Sequence, residues 1–467
     1  MKKSLIVIGL ALWLFTYNSI SAYCAPVSEN AEASEVVEAY VSEYADDPVE
    51  SNEVPNWPTG PVINAKSAIL IEANTGVVLY AKNIHEHMYP ASTTKLMTAL
   101  IAYENSSMDE IVNFSYDAVF SLEEGSSNIG IDPGQSMPMK ECLYGIMVGS
   151  ANEVANAIAE HVGGSFDGFA DMMNEKVTKL GLQDTHFTNA SGLQNEEHYT
   201  SAYDLAMIAR EFFSNEELSK IGNTARYHFK ATDTQPDDFY IRNKHKLING
   251  DIAYDGIKGG KTGYTSTSRE CLVTCDELNG MKLICVVMNE ESPYQFTDTV
   301  KLFNYGYDSF QAVNTSDNEN KYSITSTNIF PSTVDILGDS SQILEMNEDD
   351  YIIMPKNITF NELETATDYN VSDPSTIARI EYSYHGMFLG YGTVNLSSET
   401  YTTSAFDPEL ILNKEEHKVI ENDVIFVNVL YVTLGLAGIG VLVISISFII
   451  SATIHGPEIR RRRRIRR

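Results

Sequence analysis

The chain predicts an α+β pattern of amphipathic helices and antiparallel hairpins, and three stretches carry that prediction. KSAILIEANTGVVLYAKN is two short apolar runs around an Asn74-Thr75-Gly76 turn, a hairpin by period and turn chemistry. CLVTCDELNGMKLICVVMN repeats the arrangement around Asn279-Gly280. Between them the period lengthens to that of helices. Leu96, Ala99, Leu100 and Tyr103 recur at helical spacing after Pro90 and Ser92. Val154, Ile158 and Val162 mark a helix stopped by Gly163 and Gly164, and Phe166, Phe169, Met173, Val177 and Leu180 mark another, closed by Gly181.

The ends read as addresses. Met1-Lys2-Lys3 followed by an apolar run from Leu5 to Phe15 and small residues to Ala25 has the form of a secretory signal peptide, residues 1–25. Residues 26–56 carry nine acids and no lysine or arginine, which predicts a disordered acidic leader. At the other end Val424 to Ile454 is free of charge and followed by seven arginines. At about 1.5 Å per residue this run exceeds a hydrocarbon core of roughly 30 Å, and the arginines behind it fit the positive-inside rule. The expectation is a single-pass anchor at 424–454 with a cytoplasmic tail, 455–467, and an extracytoplasmic globular part. That part spans 57–315, a short-stranded β-domain at 316–410, where Ile380, Tyr382 and Tyr384 alternate before His385-Gly386, and a stalk at 411–423.

The chain has 32 basic and 64 acidic residues, and nine of the basic ones sit in the two ends. So acidic an exterior part argues against nucleic acid or another polyanion as partner. With Cys24 going with the signal peptide, Cys142, Cys271, Cys275 and Cys285 are too few for a disulfide framework in so long a chain and read as buried thiols.

Three short motifs carry chemistry. In PASTTKLMTALIAYE, Ser92 and Lys95 stand three apart and share a helix face; a lysine made neutral by burial and the helix dipole takes a proton from a serine. The alternative is a capping serine and a solvated lysine. In GSANEVANAIAE, Ser150 and Asn152 precede a helix, where either residue type also serves as an N-cap. DGIKGGKTGYTSTS, Asp255 to Ser268, falls one residue short of a phosphate-binding loop, because position 255 is aspartate and the glycine is at 256. On a strand, Lys261, Thr262 and the side-chain-free Gly263 suit a peptide lying alongside with its carboxylate on the lysine and threonine.

S-x-x-K, S-x-N and K-T-G in this order form the set used by serine β-lactamases and penicillin-binding proteins. The chain resembles one family, the low-molecular-mass penicillin-binding proteins that are D-alanyl-D-alanine carboxypeptidases. The likeness runs from about Asn64 to Asn289 through ANTGVVLYAKN, PASTTKLMTAL, SANE, LGLQDTHFTNASGL, HYTSAYDLA and GGKTGYT. It implies an α+β transpeptidase domain of the penicillin-binding/β-lactamase-like type, an antiparallel sheet flanked by helices, with a C-terminal β-domain and a membrane anchor. It also implies a cofactor-free hydrolase, inhibited by β-lactam antibiotics, that trims the terminal D-alanine of peptidoglycan stem pentapeptides in cell-wall and cell-shape maintenance. Carried onto this sequence, Ser92 is acylated, Lys95 is its base and Ser150 relays a proton. Asn152 orients the substrate amide, Lys261, Thr262 and Thr265 hold the carboxylate, and the backbone N–H groups of Ser92 and Tyr264 form the oxyanion hole beside Gly263. His186 and His198 read as structural.

The chain departs from the family in having Arg269 and Glu270 where glycine and an aromatic residue are usual. Ala151 between Ser150 and Asn152 follows the carboxypeptidases, and no E-x-x-L-N glutamate of class A β-lactamases lies between Asn152 and Lys261. A D,D-endopeptidase using the same residues and a non-catalytic wall-binding protein are the two rival expectations.

Overall fold

The computed structural model describes residues 40–123, 125–319, 324–325, 342–371, 373 and 376–396, which fall in one compact unit. The expected signal peptide, the leader before residue 40, the stalk, the apolar span at 424–454 and the arginine tail lie outside the described residues. No helix among the described residues is long and apolar enough to cross a membrane.

Both expected hairpins form and join into one antiparallel sheet. Strands β1 (Ser67–Glu72) and β2 (Val78–Lys82) turn at Gly76, whose φ is 79°. The Glu72 carboxylate accepts the N–H groups of Asn74 and Thr75 and fixes that turn. After helices α1 (Lys95–Asn105), α2 (Met139–Val148), α3 (Asn152–Gly163), α4 (Phe166–Lys179) and α5 (Ala202–Ser214) come β3 (Ile257–Thr265), β4 (Arg269–Leu278) and β5 (Met281–Glu290). Asn279 and Gly280 both have positive φ, the geometry a two-residue hairpin turn demands. The strand order is β2-β1-β5-β4-β3, which leaves β3 at an edge.

Side chains of β5 alternate between two cores, and this explains why the strand is apolar throughout. Ile284, Val286 and Met288 face the helical side with Leu96, Ile158 and Phe212. Leu283, Cys285 and Val287 face the other side, with Phe303 of helix α6 (Tyr294–Ser309) and with Trp57. The second core continues into the C-terminal strands through Ile352, Met354 and Tyr382. There β6 (Phe310–Asn314) runs on from α6 and pairs with β9 (Tyr351–Pro355). Strands β7 (Ile324–Thr325), β8 (Gln342–Met346), β10 (Glu364–Asp368), β11 (Thr376–Tyr384) and β12 (Met387–Leu396) form a second five-stranded sheet in the order β7-β8-β12-β11-β10. The four cysteines Cys142, Cys271, Cys275 and Cys285 are buried free thiols.

One expectation is overturned in part. Residues 40–56, acidic and polar, do not read as ordered, yet they cover the outer edge of β2. The N–H of Ala81 donates to Ser51 Oγ, that of Asn83 to Glu50 Oε1, and the Lys82 ammonium donates to the Tyr44 carbonyl at 2.6 Å. An open sheet edge needs acceptors for its N–H groups, and here the Ser51 hydroxyl and the Glu50 carboxylate supply them.

Beneath that edge two carboxyl groups are buried together, Glu290 and Asp298. Asp298 accepts the N–H groups of Asn64 and Ala65 and pairs with Lys301 at 2.8 Å. Burial, followed by the hydrogen bond to Asp298, holds the Glu290 carboxyl well above the usual carboxylate range. Glu290 Oε2 is buried without a hydrogen-bond partner, and a proton on this carboxyl removes a second negative charge from beside Asp298. A raised folded-state value means stability that is complete below the ordinary glutamate value and declines as pH rises towards the folded one. Glu290→Gln keeps a donor and has no proton to lose. Its unfolding free energy relative to the parent is expected to grow between pH 5 and pH 7, by up to about 1.4 kcal/mol per pH unit, in urea titrations; a pH-independent difference rules this proton out.

Candidate active site

Pro90 and Ala91 bring the chain into a 3-10 turn, Ala91–Thr94, that runs directly into α1. Ala91 has φ 48°, a conformation an alanine adopts only when its surroundings enforce it. Gly192 enforces it from one side: a Cβ there would lie 1.8 Å from the Ala91 carbonyl oxygen. In a 3-10 turn residues three apart are eclipsed, so Ser92 and Lys95 align. Lys95 Nζ lies 3.0 Å from Ser92 Oγ. It is fully buried, which excludes the reading of a capping serine with a solvated lysine.

The remaining partners of Lys95 come from two other segments. Asn152 Oδ1 accepts from Nζ at 2.7 Å and the Ser191 carbonyl is a second acceptor. Burial pushes the Lys95 amine well below the lysine range, with Lys261 and Lys244 adding repulsion and Glu153 opposing them. Behind the turn, His198 Nδ1 accepts the N–H of Thr188 at 3.0 Å, so Nε2 carries the proton and donates to Thr94 Oγ1 at 2.9 Å. Burial holds His198 neutral, at about 3. His186 contacts the Glu197 carbonyl at 2.6 Å and lies outside the cleft lining, as a structural residue does.

Ser150 and Asn152 do not cap α3. The N-cap position is Ala151, without a side-chain cap, and Ser150 has φ 58°. That backbone turns its hydroxyl to Lys261, whose Nζ donates to Ser150 Oγ at 3.0 Å and to the Thr262 carbonyl at 2.8 Å. Lys261 is 2% exposed, and burial with the nearby Lys244 lowers it to about 7. Glu153 Oε1 accepts the N–H groups of Ile129 and Gly130 and so anchors the loop whose Ser127 carbonyl receives the N–H of Asn152.

Strand β3 passes against the Ser92 turn at Gly263. A Cβ at this position would stand 2.8 Å from the Pro90 carbonyl oxygen and 3.0 Å from Ser92 N. The two motifs therefore touch through a missing side chain. A cleft of about 410 Å3 opens there, lined by Ser92, Ser150, Asn152, Thr262, Tyr264 and their neighbours. Thr265 also lines it, but its hydroxyl donates to Ser268 Oγ and accepts the N–H of Ser268, closing the β3–β4 turn. Its one proton is committed there, which distinguishes it from Thr262. A larger groove, about 550 Å3, lies between β2 and the Met387-Phe388 turn and contains none of these residues.

Cleft residues that were not legible as site residues include Ser127, Lys244, Lys246 and Gln295. The signal for the lysines was the run Asn243-Lys244-His245-Lys246, basic in an acidic chain. Glu270, noticed only as a departure from the family, also faces the cleft, while Arg269 turns away to pair with Glu291.

Residues 54–292 match the D-alanyl-D-alanine carboxypeptidase family, half of the chain. The chain belongs to this family. It is 37% identical over 252 residues to D-alanyl-D-alanine carboxypeptidase DacF of Bacillus subtilis, a match covering 53% of this chain and 63% of that protein. To DacA of Escherichia coli K12 it is 29% identical, covering 55% and 64%. The chain thus spans a little under two thirds of the length of these relatives. Penicillin binding protein 5 of Haemophilus influenzae shares the fold over 72% of this chain and 98% of its own, with a TM-score of 0.57 at 23% identity. The Streptomyces K15 DD-transpeptidase covers 53% of this chain and 99% of its own, with a TM-score of 0.51 at 28% identity.

Because a Cβ at Gly263 would meet backbone atoms of the Ser92 turn, Gly263→Ala is expected to slow penicillin labelling of Ser92 by at least tenfold, equivalent to about 1.4 kcal/mol, and to lower the thermal midpoint by a few degrees. Rate of label incorporation and a melting curve on the same sample check it. An unaltered rate means the strand and the turn are not mechanically coupled.

Proposed function

We propose that the protein is a serine D-alanyl-D-alanine carboxypeptidase that removes the terminal D-alanine of peptidoglycan stem peptides through an acyl-enzyme and is acylated by penicillins. The observation that carries this is the fully buried Lys95 amine, 3.0 Å from Ser92 Oγ at the floor of an open cleft. A neutral amine has two N–H bonds and one lone pair. Asn152 Oδ1 and the Ser191 carbonyl take the two N–H bonds, so the lone pair is left for the Ser92 hydroxyl.

Ser92 Oγ attacks the penultimate residue's carbonyl carbon as its proton passes to Lys95. The developing oxyanion lies between the N–H groups of Ser92 and Tyr264, which the close approach at Gly263 brings to one place. The C–N bond then breaks, and the departing amine takes, through Ser150, which Lys261 holds, the proton that Lys95 removed from Ser92, so that Lys95 is neutral again. Water enters the ester with Lys95 again as base, and Ser92 is released. Asn152 and the hydroxyl of Thr262, with Lys261 in its charged form, hold the substrate's amide and terminal carboxylate. A wall-binding protein without chemistry has no use for a desolvated lysine against a serine.

The protein acts outside the cell membrane, delivered by residues 1–25 and held by 424–454 with the arginines on the cytoplasmic side; the charge-free run and its basic flank support this reading. Labelling with a fluorescent penicillin tests both parts. Label on Ser92 with D-alanine release from a pentapeptide, neither seen in Ser92→Ala, is the expected result, and label that sediments with membranes unless the chain is cut before Val424. A Ser92→Ala protein that still turns over sinks the mechanism, and a cut protein that still sediments sinks the anchor.

The two perturbed lysines also fix a pH profile. Lys95 acts when neutral, so the rate rises with pH through its lowered value; Lys261 grips the carboxylate when charged, so it falls above about 7. Lys244 lowers both groups. Lys244→Met is therefore expected to move the whole bell of kcat/KM to higher pH, and an unshifted falling limb means that Lys261 is not the group titrating there.

A further inference from the structure

At the α6 end of the cleft three polar side chains have no hydrogen-bond or ion-pair partner among the described residues. Lys246 begins the short helix Lys246–Asn249, and its ammonium lies 5.6 Å from the centre of the Phe296 ring. Glu270, half-buried on β4, makes no ion pair although its neighbour Arg269 is held by Glu291. Gln295, in the first turn of α6, is 3% exposed and its Oε1 is buried with no donor. All three line the cleft. An orphaned buried acceptor costs about 1–3 kcal/mol, and a site retains such groups where a ligand completes them.

The charges restrict that ligand. Burial raises the Glu270 carboxyl above the usual carboxylate range while Arg269 and Lys246 oppose the rise, and Lys246 and Glu270 line the same cleft without forming an ion pair with each other. An anion alone would satisfy Lys246 and be repelled by Glu270. An ammonium alone would satisfy Glu270 and Gln295 and be repelled by Lys246. A molecule carrying both charges a few atoms apart, an α-amino acid zwitterion, satisfies all three groups. Its place is beside the substrate strand, since Glu270 is the cross-strand partner of Tyr264 and Leu272 that of Thr262.

We infer that Lys246, Glu270 and Gln295 form a subsite for a free zwitterionic amino acid, with its carboxylate on Lys246 and its ammonium on Glu270 and Gln295 Oε1. The link to turnover rests on the carboxypeptidase reading. Within a peptide the terminal residue has a carboxylate and an amide N–H; only after the C–N bond breaks does it carry an ammonium. The subsite therefore prefers the released amino acid to the same residue in the substrate, and product is retained after acylation.

The test is calorimetric titration of the full chain in detergent at pH 7 with D-alanine, with D-lactate, which lacks the ammonium, and with D-alaninamide, which lacks the carboxylate. D-Alanine is expected to bind at least about tenfold tighter than either, from one additional charge-assisted contact. Glu270→Gln should bring D-alanine down to the level of D-lactate, and Lys246→Met should bring it down to that of D-alaninamide. The three-ligand series on the parent protein needs no variant to fold: D-lactate binding as tightly as D-alanine overturns the subsite. The same ranking in Ser92→Ala, which performs no chemistry, separates the two readings. If penicillin fails to label Ser92 while the ranking holds, the carboxypeptidase reading falls and the subsite stands; if label appears and the ranking is flat, the reverse is true.

Discussion

The site depends on keeping one amine out of water. A lysine ammonium in a dry interior is costly enough that it gives up its proton, and Lys95 is in that position with no carboxylate bonded to it. Burial of this kind requires walls. Helix α3 contributes Asn152, the Ser191 segment contributes a carbonyl, and the helical core behind α1 excludes solvent with Leu96, Ala99 and Leu100. The helical half of the protein thus keeps the Lys95 amine dry and neutral beside Ser92.

The sheet half has a different task, which is to present an edge. Strand β3 is the last of five, and the Ser92 turn approaches it where residue 263 has no side chain. The same logic recurs at Gly260, where a Cβ would lie 2.6 Å from His245 Nε2, and at Gly192 against Ala91. Three glycines let backbone and side chains from distant segments approach within contact distance. The strain of Ala91, at positive φ, is held by the contacts at Gly192 and Gly263, and Ser150, also at positive φ, is held by Lys261.

Much of this was readable in the residues because it rests on local rules. Hairpins at Asn74-Thr75-Gly76 and Asn279-Gly280 follow from turn chemistry, helix ends at Gly164 and Gly181 from positive φ, and the S-x-x-K pair from helical spacing. What was not readable depends on distant partners. Nothing near Thr265 says that its hydroxyl is spent on Ser268, and composition alone makes residues 40–56 look disordered because it cannot register the β2 edge they satisfy. Lys244, Lys246 and Gln295 join the cleft only through the packing of the Lys246–Asn249 turn and α6 against β3 and β4.

Charge ties these parts together. The chain carries a formal net charge of −32, yet four lysines, Lys95, Lys244, Lys246 and Lys261, gather around a single cleft. Burial lowers Lys95 well below the lysine range and Lys261 to about 7, and the neighbouring Lys244 adds to both shifts, while Lys244 and Lys246 reach solvent at the cleft. A cationic cleft in an acidic protein attracts a carboxylate, and its charges reinforce the burial that keeps the innermost lysine neutral. Glu270 stands on the outer side of this cluster, over ten residues of sequence from any of the motifs except K-T-G, and adds the single negative charge that lets the cluster tell a peptide end from a free amino acid.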